Sequence, residues 1–436
     1  MHTLHTHRFY SAWLWTLCSF CLLPNVPTSL ADPTRIVNFV LTHTGFADQQ
    51  TEALTPFGYD YFALRDGLQR SREKFEVSKR GRVAFLGGSI TASKGWRDQV
   101  CEDLKRRFPN TDFEFISAGI PSMGSTPGAF RFKRDVLANG PVDLLFEEAA
   151  VNDDTNGFSD IDQIRGMEGI VRQAFLSNPQ MDVVLLHFVD PGKIAEIRQG
   201  KTPAVIANHE KVAEHYRIPS INLAKEVAER IDAGEFTWEK DFRDLHPTPF
   251  GHRLYASSIG RMLDAAWTES KGLPAQSPSL PPPLEKNSYF NARLAYPMEL
   301  KNVGNLKLLN GWHIEKLWKP EDKAGTRPGF VNVPSLIAES PGETIQLAFN
   351  GSAIGIFVAS GPDAGRAECR VDGGEWTTVE LFTQWSPGLH LPWAKMLYSE
   401  LAVGDHLLEL RVGEESDPRS KGHAVRIMQF LINGPD

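Results

Sequence analysis

From Arg82 to about Trp267, short apolar runs rich in β-formers alternate with longer stretches of helical periodicity. That alternation leaves few folds open. The strand candidates are Val83–Leu86, Phe113–Ser117, Val142–Phe146, Val183–Phe188 and a short Ile218–Asn222. Between them, residues 97–108 carry Val100, Leu104 and Phe108 at helical spacing, and residues 160–176 do the same with Ile161, Ile164, Met167, Val171 and Phe175. Stretches 205–216 and 250–267 complete the set of helices. Strands separated by helices must cross over and run parallel, with helices on both faces. The expectation for residues 81–270 is therefore an α/β domain, a three-layer flavodoxin-like parallel sheet.

A chain of 436 residues is too long for one ordinary core. Residues 271–288 are proline-rich and read as a stiff, exposed linker. Beyond them the pattern changes to short β-runs: Thr344–Phe349, Ala353–Ala359, Glu368–Val371, His406–Val412 and Val425–Ile432. Turn residues such as Asn350-Gly351 and Asp372-Gly373-Gly374 separate them. That spacing predicts an all-β sandwich, jelly-roll-like, over 289–436. Residues 32–80 form an N-terminal extension with one charged helix candidate, Tyr61 to Lys79, and no assignable chemistry.

The first 31 residues differ from the rest. Arg8 precedes an apolar stretch, Ala12 to Leu23, and Ser29-Leu30-Ala31 supplies small residues. These are the parts of a signal peptide, cleaved after Ala31, with an uncleaved anchor as the alternative; the apolar run is short for a membrane span. Export to the periplasm or the extracellular space follows. Cleavage removes Cys18 and Cys21 and leaves Cys101 and Cys369, which fall in different domains and read as thiols. The net charge of −8 becomes −9 once Arg8 is lost, since −8 − 1 = −9 and residues 1–31 hold no acid. Nucleic acid and anionic membrane are thereby poor partners.

Three loops carry candidate chemistry. The first strand stops at Gly87-Gly88-Ser89, which presents a hydroxyl at the carboxyl end of the sheet, where open α/β sheets bind ligands. Taken alone, Ser89 is equally a helix N-cap. Asp244-Leu245-His246-Pro247 sets an acid and a histidine ahead of the last helix, and Val151-Asn152-Asp153 follows a third apolar run. A serine hydroxyl needs a neighbouring base to become a nucleophile, and a serine, a histidine and an acid suffice in any chain order. Glu147 and Glu148, adjacent on a strand, point to opposite faces and do not form an acid/base pair. Asp153 and Asp154 read as capping residues. His187, His209, His215 and His252 lack metal-ligand spacing; no metal and no other cofactor is expected.

Together these blocks resemble the SGNH hydrolases of the GDSL superfamily over roughly residues 80–268. The blocks are Gly87-Gly88-Ser89-Ile90-Thr91, Ala118-Gly119-Ile120-Pro121-Ser122-Met123-Gly124-Ser125, Val151-Asn152-Asp153 and Asp244-Leu245-His246-Pro247. The resemblance implies Ser89 as nucleophile and His246 as general base. It also implies an oxyanion hole built from the Ser89 amide, a second-block glycine amide and the Asn152 side chain. Gly124 and Gly119 compete for the glycine, and Gly124 is preferred because a helix can begin beside it. Gly88 stands where the family more often has aspartate. Arg243 occupies the family's acid position, three before the histidine, and arginine cannot accept the imidazole proton. Asp244 is the choice for the acid, with Asp241 or an acid-free dyad as alternatives.

The linker-plus-sandwich arrangement is similar to that of carbohydrate-active acetylesterases. The implied activity is O-acetyl ester hydrolysis on an acetylated poly- or oligosaccharide. A lipase or lysophospholipase, and an inactive glycan-binding protein, are the alternatives. Trp312, Trp318, Trp376, Trp385 and Trp393 either stack on sugars or pack internally. The sandwich is expected to help engage polymer without contributing to the triad, so a chain ending near Ser277 should still cleave a small acetate ester.

Overall fold

The structure is a computed structural model that describes residues 59–269 and 280–435. The expected signal peptide and most of the extension lie outside these residues, as does the first half of the linker. Six strands form the first sheet: β1 (Phe62–Ala63), β2 (Arg80–Gly87), β3 (Asp112–Gly119), β4 (Leu144–Glu147), β5 (Asp182–Leu186) and β6 (Ser220–Ile221). Their order is β1-β6-β5-β4-β2-β3. Strands β2 to β6 are parallel, and β1 pairs antiparallel with β6. The chain runs outward from β2 to β3, then returns past β2 to β4. Connections leaving the carboxyl ends of β2 and β4 therefore diverge, opening a crevice at that reversal point.

β4 and β5 are buried along their whole length, and β2 is buried at every position from Val83 to Gly87. This is why they read as unbroken apolar runs. Alternation still divides them between two cores. Val83, Phe85, Phe146 and Val184 face helices Trp96–Arg107, Leu223–Asp232 and Pro249–Glu269. Ala84, Leu86, Leu145 and Val183 face helices Ser125–Asp135, Asp160–Ser177 and Ala204–His215. The three layers are those expected.

The extension departs from its reading as one helix. Residues 62–63 add β1 to the sheet edge, and only Gln69–Glu73 is α-helical, continued by a wider turn over Lys74–Ser78. Left-handed backbone at Arg65 and Gly67, with φ of 47° and 73°, breaks any helix started at Tyr61.

The C-terminal region is two antiparallel sheets. One runs β15 (Leu391–Tyr398), β12 (Ala353–Ser360), β17 (Val425–Asn433), β10 (Val333–Ala338), β9 (His313–Trp318), with β7 (Ala292–Ala295) also on β17. The other runs β14 (Thr377–Glu380), β13 (Arg366–Val371), β16 (Gly404–Val412), β11 (Thr344–Gly351), β8 (Leu306–Leu308). Ile354 and Ile356 of the first sheet and Leu347, Cys369 and Leu410 of the second share one core, which makes this a sandwich.

The sandwich packs directly on the α/β domain. β12 and β17 are buried at every residue, because the face turned away from the sandwich core packs on the α/β domain. Phe357, Met428 and Leu431 join Phe130, Met167 and Ile170 in one apolar cluster. Gly169 makes the approach possible: a β-carbon there would lie 2.8 Å from the Tyr289 carbonyl oxygen. The second half of the linker is tied down rather than free. Glu168 accepts from the amides of Leu284 and Glu285 at 2.5 and 2.8 Å, and Arg172 donates to the Pro281 carbonyl at 2.8 Å.

Candidate active site

Ser89 opens a one-turn helix, Ser89–Ala92, at the carboxyl end of β2. Its hydroxyl lies 2.7 Å from His246 Nε2. On the far side of the ring, His246 Nδ1 lies 3.2 Å from Asp244 Oδ1, and the same oxygen accepts the His246 backbone amide. The three side chains form one hydrogen-bonded line. The two-residue spacing works because Arg243 takes the sparsely populated φ of 72° and ψ of −47°, which turns the chain sharply before Asp244. Asp241 is elsewhere; its carboxylate accepts the Thr237 amide at 2.8 Å. The line is open to solvent, with the His246 and Asp244 side chains 52% and 68% exposed.

The turn before Ser89 is held from beneath. Glu148, at the end of β4, accepts from the Gly88 amide and the Thr91 hydroxyl, both at 2.7 Å. Glu147 and Glu148 are both buried, so neither is a solvent-facing acid or base. Burial pushes the Glu148 carboxyl up to about 7 against these hydrogen bonds, and burial beside Glu148 holds Glu147 well above the usual carboxylate range. The folded chain thus keeps a Glu148 proton that the unfolded chain gives up near 4.5. This group's contribution to stability is full below that value and is lost as pH rises through about 7. Glu148→Gln has no such proton. The melting temperature of the wild type relative to this variant should therefore fall between about pH 5 and pH 8. A flat difference over that range would mean that Glu148 is ionised throughout.

Asn152 lies in the short helix Ala150–Thr155, and its side-chain amide has no protein partner among the described residues. A β-carbon on Gly88 would sit 1.9 Å from Asn152 Oδ1, so a side chain at the position where the family more often has aspartate would push the Asn152 amide aside. Asp153 does cap a helix, but a neighbouring one. It accepts from the Ser125 amide and hydroxyl at 2.8 and 2.6 Å, and from His209 Nε2 at 2.9 Å. Asp154 instead takes Lys193 at 2.9 Å.

Of the two candidate glycines, Gly124 stands at the N-cap of helix Ser125–Asp135, its β-carbon position 2.0 Å from Asp153 Oδ1. Gly119 ends β3 against Ala92. Ser122, on the loop between them, lines the cleft beside Ser89. Ser122 has left-handed backbone, φ 68°, and its carbonyl is held by Asn156 Nδ2 at 2.9 Å. Nothing in a serine announces that conformation, so the sequence offers no signal for it.

The cleft measures about 160 Å³ and both domains build it. Ser89, Pro121, Ser122, Asn152, Asn156 and His246 form one wall, and Arg327, Trp385, Leu389 and Leu391 of the sandwich form the other. Trp385 is 37% exposed, whereas Trp312, Trp318 and Trp393 are buried as packing residues. Trp376 lies against the guanidinium groups of Arg370 and Arg411, away from the cleft. Cys101 and Cys369 are free thiols, both pushed up by burial, Cys101 to about 12. No metal-binding group of His, Cys, Asp or Glu occurs among the described residues.

Residues 85–254 match the GDSL-like lipase/acylhydrolase family. The fold is shared along nearly the whole described chain with a two-domain esterase, CEX, active on acetylated mannans. Its complex with mannopentaose superposes with a TM-score of 0.68 at 24% identity, covering 86% of this chain and 99% of that one. A second structure of that esterase gives 0.69 at 23%, with the same coverage. No curated protein sequence matches the chain. Residues 85–254 thus carry a GDSL-like acylhydrolase region, the chain is a carboxylic ester hydrolase, and a β-rich domain follows that region.

Proposed function

We propose that this GDSL-type ester hydrolase is an exported O-acetylesterase of decorated carbohydrate, working through an acyl-enzyme on Ser89. In this reading the Ser89 oxygen attacks the acetyl carbonyl carbon while His246 Nε2 takes the hydroxyl proton. The tetrahedral oxyanion is held by the Ser89 amide, the Asn152 side chain and an amide of the second loop, from Gly124 or from Ser122. The sugar oxygen leaves with the proton carried by His246. Water then attacks the acyl-enzyme, His246 again acting as base, and acetate departs. The observation that carries the proposal is the continuous Ser89–His246–Asp244 line opening into a cleft with a tryptophan on its opposite wall.

The size of the cleft argues against a lipase. About 160 Å³ is below the roughly 300–1,000 Å³ usual for drug-sized ligands, and a long acyl chain needs an apolar groove of comparable length. An acetyl group needs far less. A purely glycan-binding role leaves the 2.7 Å serine–histidine contact without a purpose. Export rests on the Arg8, Ala12 to Leu23 and Ser29-Leu30-Ala31 pattern. The test is acetate release from acetylated mannan, xylan and pectin oligosaccharides beside an octanoate ester. Preference for octanoate would overturn the proposal.

Asp244 is the acid in this scheme. Losing the corresponding buried acid of a serine protease costs about 10⁴ in kcat. Solvent screens Asp244, so Asp244→Asn should cost less, about 10²-fold, with a small fall in melting temperature because a neutral amide oxygen accepts the His246 amide less strongly than a carboxylate does. Wild-type kcat with a lowered melting temperature would leave Asp244 as a brace for the turn alone.

A further inference from the structure

Arg327 is the permanently charged side chain among the residues lining the cleft. It sits on the loop between β9 and β10, and its guanidinium makes no hydrogen bond or ion pair among the described residues. Its Nε is closed off from solvent without an acceptor. Acids nearby in the sandwich are already engaged. Asp322, on the same loop, pairs with His390 at 3.0 Å and accepts the Ala324 amide at 2.8 Å, and Asp363 is gripped by Arg426 at 2.6 and 2.8 Å. Arginine cannot shed its charge, and a part-buried donor left without an acceptor is costly in a native fold. Nη1 and Nη2 of Arg327 are reachable from solvent and have no protein acceptor among the described residues, so a carboxylate entering the cleft can take both.

The loop carrying Arg327 is stitched to the one carrying Trp385. Gly325 donates to the Gly388 carbonyl and His390 to the Gly325 carbonyl, both at 2.8 Å. The Trp385 turn is itself fixed by Ser386, whose hydroxyl meets Ser360 at 2.7 Å and accepts the Thr383 amide at 2.9 Å. A flat apolar face and an uncommitted guanidinium are thus held on rigid, adjoining loops. A sugar ring suits the first, and a carboxylate, which takes two parallel bonds from one guanidinium, suits the second.

We infer that Arg327 is a carboxylate-reading subsite: the enzyme acts on acetylated glycans that carry a uronic acid beside the acetylated residue, its ring on Trp385 and its carboxylate on Arg327. The inference rests on the acetylesterase reading and narrows it. The test compares acetylated, glucuronic-acid-bearing xylo-oligosaccharides with the same oligosaccharides after reduction of the carboxyl to the alcohol, using the full chain as wild type, Arg327→Gln and Arg327→Lys. The wild type should favour the acid form by about ten- to a hundredfold in kcat/KM, and added salt should shrink that preference. Arg327→Gln should bring the ratio to about one, and Arg327→Lys should restore part of it. A wild-type ratio near one, or an equal loss on both substrates in Arg327→Gln, overturns the subsite and leaves the esterase reading standing. Absence of acetate release from every ester, a small aryl acetate included, overturns the esterase reading itself.

Discussion

Replacing Ser89 with alanine should lower kcat on an aryl acetate by about 10⁴–10⁶-fold, the loss that follows removal of a triad nucleophile, while the melting temperature stays within a degree or two of wild type. The hydroxyl is not a structural cap. Gly88 is the N-cap of helix Ser89–Ala92, and no side chain of that helix closes its own first turn. What fixes the turn is Glu148, through the Gly88 amide and the Thr91 hydroxyl, and the substitution leaves both bonds in place. Alanine removes the hydroxyl's bond to His246, and a solvent-exposed pair of that kind adds little to stability. Measuring kcat and thermal unfolding on one preparation separates chemistry from folding. Near wild-type turnover in a cooperatively folded Ser89→Ala protein would remove this serine from the reaction.

How much of the fold and the site is legible in the sequence depends on whether a residue acts locally or through distant neighbours. The strands of the parallel sheet announce themselves as apolar runs, and the residues expected at Val83–Leu86 and Val183–Phe188 lie within or overlap β2 and β5. Helix Ser125–Asp135 is hidden because Pro127 and Gly128 stand in its first turns and no polar face relieves its buried half; the sandwich covers the side that would otherwise meet water. Helix Asp160–Ser177 shows through its apolar stripe. Its buried Arg165, Glu168, Arg172 and Gln173 look like a solvated face, yet they hold the linker and Tyr289. The left-handed residues are the hardest case. Arg243, which lets an acid two residues before the histidine reach the ring, and Ser122, at the cleft wall, adopt backbone that their side chains do not favour. Such strain is set by surrounding packing and is invisible in a local window.

The strands of the sandwich do carry a signal of what covers them. Thr344–Gly351 alternates buried and partly exposed positions, as a strand covered on one face should, whereas Ala353–Ser360 and Val425–Asn433 do not alternate at all. Strands without alternation inside a sandwich imply a third layer. Here that layer is the α/β domain, and a shortened chain is the place to test what the joint contributes.

A chain ending at Glu269 should fail to give a soluble, cooperatively folded protein and should lose activity on small and polymeric esters alike. Cutting there strips Tyr289 from Phe130, whose rings lie 5.0 Å apart. It also uncovers Ile120 and Pro127, which pack beside Leu294, Phe357 and Leu431 at the joint. Glu168 loses two backbone donors, and Gln173 and Arg172 each lose a carbonyl. Each large apolar side chain returned to water forfeits roughly 1.5–3 kcal/mol, and each buried polar group left unpaired costs about 1–3 more. A handful of each matches the whole stability of an ordinary domain, about 5–15 kcal/mol. The Arg327 and Trp385 wall of the cleft goes with the sandwich. A gentler form of the same test keeps the chain whole: Gly169→Val forces a side chain against the Tyr289 carbonyl and should cost about 1–3 kcal/mol, lowering one shared calorimetric transition. Two separable transitions in the wild type, or a monomeric truncated protein with near wild-type kcat on an aryl acetate, would mean that the joint docks two finished domains and does not complete either.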